Sequence, residues 1–244
     1  MIIRALLAGW LLIAIAANLH AADPKTTFRE AIEAYAAEDF AKSAELLHGL
    51  TDDDVFSANL FYNLANSQFQ LGEHGSAMVN YERTLLIDPG HSDALHNLVL
   101  TQRQLGRPVW NPIEQFAVQL GNGVAAWTGA LAFWVAIFAL AALLFRGGRG
   151  WKIALAVLGL AWAGCCTSVL LWQHNHLTGP DLALIIGQEA TARYAPTETS
   201  STAGQVPDGT PARILAERDS WFYTQLEDGR RLWLADDHVE RLRF

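Results

Sequence analysis

The chain has 244 residues, 51% of them hydrophobic, and its 25 acids against 17 lysines and arginines give a formal net charge of -8. So apolar a composition in so acidic a chain argues against one uniform domain and for alternating polar and apolar blocks. Every Asp and Glu lies within residues 23–114 or 181–240, leaving 66 residues between Glu114 and Asp181 without an acid. Both polar zones are acidic, which argues against a nucleic-acid face.

Residues 1–22, MIIRALLAGWLLIAIAANLHAA, carry one early cation (Arg4), an apolar stretch from Ala5 to Ala17 and small residues at Ala21 and Ala22. This is the pattern of a secretory signal peptide. An uncleaved anchor is the alternative, although the stretch is short for a span of about 20 residues. Either way the next zone starts outside the cytoplasm.

In residues 58–91 the apolar spacing is helical. Phe61, Leu64, Ala65, Gln68, Phe69 and Leu71 trace one helix, Gly72 ends it, and Ala77, Met78, Tyr81, Leu85 and Ile87 trace a second, stopped at Asp88-Pro89. A shift of 34 residues finds the unit again: Ala77 maps to Ser43, Tyr81 to Leu47, and Leu71-Gly72 to Leu105-Gly106. With Leu71-Gly72 at the turn, Ala77 at a small contact position, Tyr81 at an aromatic one and Pro89 as terminator, residues 23–107 resemble a tetratricopeptide repeat array. The last unit keeps only its first helix, roughly Asp93 to Leu105, as a cap. The resemblance implies a peptide-binding groove at Asn59, Tyr62, Asn66 and Phe69, then Asp93, His96, Asn97, Leu100 and Arg103. Asn66 and Asn97 are similar to asparagines that clamp a terminal carboxylate, but Tyr62 stands where a lysine would be. Packing between helices is the competing reading for Tyr62 and Phe69.

After a linker at residues 108–123, Val124–Phe145 and Ile153–Trp172 are uncharged runs of 22 and 20 residues. At 1.5 Å per residue each crosses a hydrocarbon core about 30 Å thick, so two transmembrane helices are expected. Residues 146–152 leave room only for a tight hairpin. Arg146, Arg149 and Lys152 orient that loop to the cytoplasm by the positive-inside rule, placing both acidic zones on the opposite side. The neighbours Cys165 and Cys166 are expected to face lipid or helix, and small residues around Gly164 to allow close helix packing. No His, Cys or carboxylate spacing suits a metal, and His174 and His176, in the linker 173–180, lack a third ligand. No cofactor is expected.

Residues 181–244 change period. LALIIG, ATARYAP, PARILAE, WFYTQLE, RRLWLAD and VERLRF are short apolar segments separated by turns such as Pro207-Asp208-Gly209 and Asp228-Gly229. Five or six short strands predict a small closed barrel. Arg193–Pro196, Gly209, Trp221-Phe222-Tyr223 and Asp228-Gly229-Arg230 are similar to the bacterial SH3-like domain, with Leu232 replacing a glycine before Trp233. That resemblance makes Trp221, Tyr223 and Trp233 candidates for a ligand face, at least one tryptophan being core. No catalytic constellation occurs, so an enzyme is not expected.

The fold class expected is a multidomain membrane protein with an α-helical repeat array, a two-helix transmembrane hairpin and a small all-β barrel. That order of parts resembles the BatE proteins of bacterial aerotolerance (Bat) operons. The resemblance implies a non-enzymatic scaffold in the bacterial inner membrane with both soluble domains periplasmic. Its implied partners are von Willebrand A domain Bat membrane proteins and, indirectly, a MoxR-type ATPase. A peptidoglycan-binding sensor and a periplasmic assembly factor for cofactor proteins are the alternatives.

Overall fold

The computed structural model describes residues 23–120, 122–144, 148–173, 179, 181–187 and 190–243. The expected signal peptide, Arg146, His174 and His176 lie outside the described residues.

Five helices open the described chain: α1 (Pro24–Ala36), α2 (Phe40–Asp52), α3 (Ala58–Gln70), α4 (His74–Ile87) and α5 (Ser92–Gln104). The starts of α1, α3 and α5 fall at 24, 58 and 92, and those of α2 and α4 at 40 and 74. Their ends repeat as well. Asp23, Ser57 and His91 cap α1, α3 and α5 by accepting a bond from a first-turn N–H. Glu38, Gly72 and Gly106, with φ of 62°, 80° and 64°, each hold the left-handed conformation that ends a helix. The chain thus repeats its caps as well as its apolar face. Between hairpins lie Ala31, Leu47, Leu50, Leu60, Phe61 and Leu64, with a buried Ser67 hydroxyl bonded to Ser43 at 2.9 Å.

The segment read as a linker contains a helix, α6 (Pro112–Leu120). Asn111 Oδ1 accepts from the N–H groups of Ile113 and Glu114, and Glu114 Oε2 accepts from the Asn111 N–H at 2.7 Å. This reciprocal cap, with Pro112 at the first helical position, is the reason the stretch is ordered. Two long apolar helices follow: α7 (Asn122–Ala141), extended by a 3-10 turn at Ala142–Leu144, and α8 (Arg149–Gln173). Both are long and apolar enough to cross a membrane.

The hairpin tip is shorter than expected, because Arg149 and Lys152 belong to α8 rather than to a loop. Lys152 is only 7% exposed, and its Nζ donates to the Ala142 carbonyl at 2.7 Å. A cation at the carbonyl end of α7 answers both the unpaired carbonyls and the helix dipole. The helix crossing also differs in detail. A Cβ on Gly129 would lie 2.8 Å from Cys166 Cβ, and one on Gly159 would lie 2.7 Å from the Ala132 carbonyl, whereas Gly164 has open space. Gly129 and Gly159 therefore set the close approach. Cys166 is packed and Cys165 exposed.

Seven strands follow: β1 (Leu182–Ile185), β2 (Ala190–Arg193), β3 (Thr202–Val206), β4 (Pro211–Arg218), β5 (Trp221–Leu226), β6 (Arg231–Ala235) and β7 (Val239–Arg241). They form one curled antiparallel sheet in the order β3-β2-β6-β5-β4-β1-β7. The expected closed barrel is not what forms: β3 and β7 are ends of an open half-barrel. A strand edge normally has to be covered, and here α4 packs against β1 and β7. Arg83 of α4 donates to the carbonyls of Arg241 at 2.7 Å and Leu242 at 3.3 Å, and pairs with Glu240 at 2.6 Å.

The helical array and the sheet share a core. Ala183 and Ile185 of β1 point into the sheet's own core, with Val206, Leu232 and Leu234. Leu182, Leu184 and Ile186, of opposite parity, join Met78, Leu85, Leu95 and Leu98 of the array. Polar contacts fix the register. Asp208, in the turn before β4, accepts from the Gly75 N–H at 2.8 Å. Since Glu73 makes no side-chain cap bond, Asp208 serves as the cap of α4 from more than a hundred residues away. Arg107 donates to the carbonyls of Pro207 and Asp208 at 3.1 Å.

A Cβ on Gly75 would lie 1.9 Å from Asp208 Oδ1, so Gly75→Ala should displace the turn, and Asp208→Ala should remove the cap at a cost of about 1 kcal/mol. In chemical denaturation of the detergent-solubilised protein, the double variant is expected to lose less stability than the two singles summed. The shortened residue 208 no longer collides with the new methyl. Strict additivity would show that the two residues do not meet.

Candidate functional site

Three surfaces or cavities carry the chemistry. The first is a cavity of about 240 Å³ in the array, lined by Tyr35, Tyr62, Asn66, Phe69, Gln70, Tyr81, Asn97 and Leu100. Asn66 Oδ1 accepts from the Tyr81 hydroxyl at 2.7 Å and from Asn97 Nδ2 at 3.1 Å. With its oxygen so engaged, the Asn66 amide N–H is the group left to offer a ligand. Burial pushes the Tyr81 phenol well above its usual range, so it stays a neutral donor. Tyr62 lies with its ring 4.6 Å from that of His91, and Phe69 5.1 Å from that of His74.

Of the groove residues expected from sequence, Tyr62, Asn66, Phe69 and Asn97 are thus brought together. Asn59, His96 and Arg103 are exposed and lie away from this cavity. Asn59 instead borders a separate cavity of about 280 Å³ with Phe28, Leu50 and Val55. Tyr35, Gln70 and Tyr81 complete the cavity. Sequence reading assigned Tyr81 only to packing, and its hydroxyl shows that one side chain can do both.

The second surface is the outer face of the sheet. Tyr223 is the cross-strand partner of Trp233, their ring centroids 5.0 Å apart, and Trp233 is in turn the partner of Arg193. Arg193 is held by the Ser200 carbonyl and by Glu198 at 3.0 Å. Trp221 is of the same parity but buried, 8% exposed. It does not share the accessible aromatic pair.

The third is a cavity of about 290 Å³ at the junction of array, sheet and the end of α8. Its lining includes Glu82, Gln102, Arg107, Trp110, Glu114, Trp172 and Glu227. No sequence motif marks it, because its parts come from seven separate segments. Glu82 lies on the array's sheet-facing side, and burial lifts its carboxyl from 4.5 to about 8. Asp208, between the array and the sheet, is also raised by burial, against the backbone bonds from Gly75 and Gly209. Among the described residues no group of three or more His, Cys, Asp or Glu could hold a metal ion.

Compared with models of known protein families and with curated proteins, the chain finds no match. Its functional reading rests on the geometry above.

The pH dependence of folding follows from Glu82. Between pH 4.5 and about 8 the native state holds a proton that the unfolded chain has released. Stability therefore falls as pH rises through that window, by up to about 1.4 kcal/mol per pH unit. Thermal melts of Glu82→Gln should match wild type near pH 4.5, exceed it at pH 8 and show a flatter slope between. A steeper slope in the variant would contradict the assignment.

Proposed function

We propose that the protein is a non-enzymatic, membrane-anchored scaffold whose helical array is a tetratricopeptide-type repeat and whose sheet is an SH3-like module, both outside the cytoplasm, as the BatE resemblance implies. The observation that carries this reading is the 34-residue recurrence of helix starts, caps and left-handed turns, joined to a cavity of aromatic and amide side chains. Stacked hairpins of this kind bind extended or helical segments through such a concave face. Tyr62 and Phe69 supply apolar walls, and Asn66 and Asn97 supply amides for a peptide backbone. The bound segment belongs to a von Willebrand A domain membrane partner, and through that partner the complex reaches a MoxR-type ATPase on the cytoplasmic side.

The two apolar helices anchor the scaffold. Beside them α6 exposes Ile113 and Phe116 while burying Ala117 and Val118. Such a short two-faced helix rests its apolar side in the membrane interface. With so little chain at the hairpin tip, signals to the cytoplasm pass through other membrane subunits.

A second reading, cell-wall sensing, is favoured by one observation, the paired Tyr223 and Trp233 rings on the sheet's outer face. Adjacent aromatic rings offer a platform for sugar rings or peptide stems. Trp233→Ala in the full-length protein should abolish binding to purified sacculi if this reading holds, and Trp221→Ala is unsuitable because that ring is buried.

Leu100 is a partly exposed rim residue of the array cavity, so an arginine there obstructs the cavity without opening the core. Crosslinking and co-purification from membranes should recover a von Willebrand A domain partner with wild type and several-fold less with Leu100→Arg and Tyr62→Ala. Circular dichroism confirms that each variant is folded. Equal recovery by all three, or no such partner with wild type, would refute the scaffold reading.

A further inference from the structure

The junction cavity has features that neither fold nor anchoring explains. Glu82 and Gln102 line it, 8% and 4% exposed. Gln102 Oε1 is buried without a hydrogen-bond partner, and Glu82 owes its raised pKa to burial alone. An unpaired buried acceptor is costly and a buried carboxylate more so. Gln102 Oε1 is thus an acceptor awaiting a donor, and Glu82 beside the same cavity becomes a second acceptor once it gives up its proton.

The rest of the lining fits the same kind of ligand. Trp110 and Trp172 meet edge to face, with ring centroids 6.2 Å apart. Indole faces attract cations. Glu114 and Glu227 add two further carboxyls, against one cation, Arg107. The Arg107 guanidinium is turned toward the Pro207 and Asp208 carbonyls and the Thr210 hydroxyl. A volume of about 290 Å³ suits a fragment-sized ligand at the lower end of the usual pocket range.

We propose that this cavity binds a protonated primary amine, with Glu82 and Gln102 as its hydrogen-bond acceptors and Trp110 and Trp172 as its walls. An alkylammonium has three N–H donors and no acceptor, which matches the unpartnered Gln102 oxygen and the carboxylate that Glu82 becomes on losing its proton. A carboxylate or phosphate ligand would meet the acidic side chains of Glu114 and Glu227. The site lies between array and sheet, so its occupant ties the two together, and it is separate from the array cavity. The amine is either a free small molecule or the lysine side chain of a polypeptide; the chemistry recognised is the same.

Because Glu82 is protonated below about pH 8, binding displaces that proton, and affinity rises as pH climbs toward that value; Arg107, Glu114 and Glu227 are the other charged side chains lining the cavity. Isothermal titration of the full-length protein in detergent and amine-free buffer tests this with n-butylammonium chloride and Nα-acetyl-lysine amide. The neutral n-butanol serves as isostere, and sodium chloride matches the ionic strength. Both amines are expected to bind at pH 8 with proton release, n-butanol not to bind, and Glu82→Gln to weaken the amines about tenfold or more. A tighter lysine derivative points to a polypeptide source, and comparable affinities to a free amine. Glu82→Gln is expected to be at least as stable as wild type at pH 8, so its loss of binding is not loss of fold. Equal binding of n-butanol, no binding of either amine, or an unchanged affinity in Glu82→Gln would overturn the proposal.

Discussion

The structure depends on one shared surface, where the second face of β1 meets α4 and α5. Leu182, Leu184 and Ile186 leave the sheet's own core and enter that of the helices, beside Met78, Leu95 and Leu98. Two and a half hairpins leave a terminal apolar face that cannot stay in water, since repeat units bury their cores only against neighbours. A half-barrel likewise leaves an edge that cannot stay free. Each unit supplies what the other lacks. Burial of apolar surface drives the contact, and Arg83, Arg107 and Asp208 fix its register through directional bonds.

That same contact creates the chemistry of the junction. Because α4 packs its sheet-facing side against β1 and β7, Glu82 is held out of water and its carboxyl rises to about 8. The cavity exists only while array, sheet, α6 and the end of α8 are assembled. Gln173 at the end of α8 donates to the Ala117 carbonyl of α6 at 2.6 Å, and Trp172 meets Trp110. Anything that binds there is linked to assembly of the whole. The array cavity is a different case, since Tyr35, Tyr62, Asn66 and Tyr81 come from local hairpins.

Much of the fold was legible because its signals are local. The helical spacing of Phe61, Leu64 and Phe69, the turn at Gly72 and the 34-residue recurrence sufficed to place α3, α4 and α5. The uncharged runs likewise announced α7 and α8. The cap pairing Asn111 with Glu114 is a local signal for α6 within the segment whose composition suggests a linker. The run LALII was read as a strand, yet its lack of alternation also meant burial on both faces. What could not be read is long-range. The cap of α4 by Asp208 joins residues with no local relation, and a barrel that stops at a half depends on a helix from elsewhere covering its edge. Asn59, His96 and Arg103 lie outside the array cavity, because the period fixes a helical face but not how far a cavity runs along it. Trp221, Tyr223 and Trp233 shared one expectation, but depth in the sheet separates the buried Trp221 from the half-buried pair.

The central claim is that array and sheet form one cooperative unit, and hydrogen exchange tests it most directly. Full-length protein in detergent is compared with a chain ended after residue 180. Loss of the sheet should strip protection from the amides of α4 and α5 by at least about tenfold, corresponding to about 1.4 kcal/mol, while α7 and α8 stay protected. Unchanged protection of α4 and α5 in the shortened chain would contradict the account.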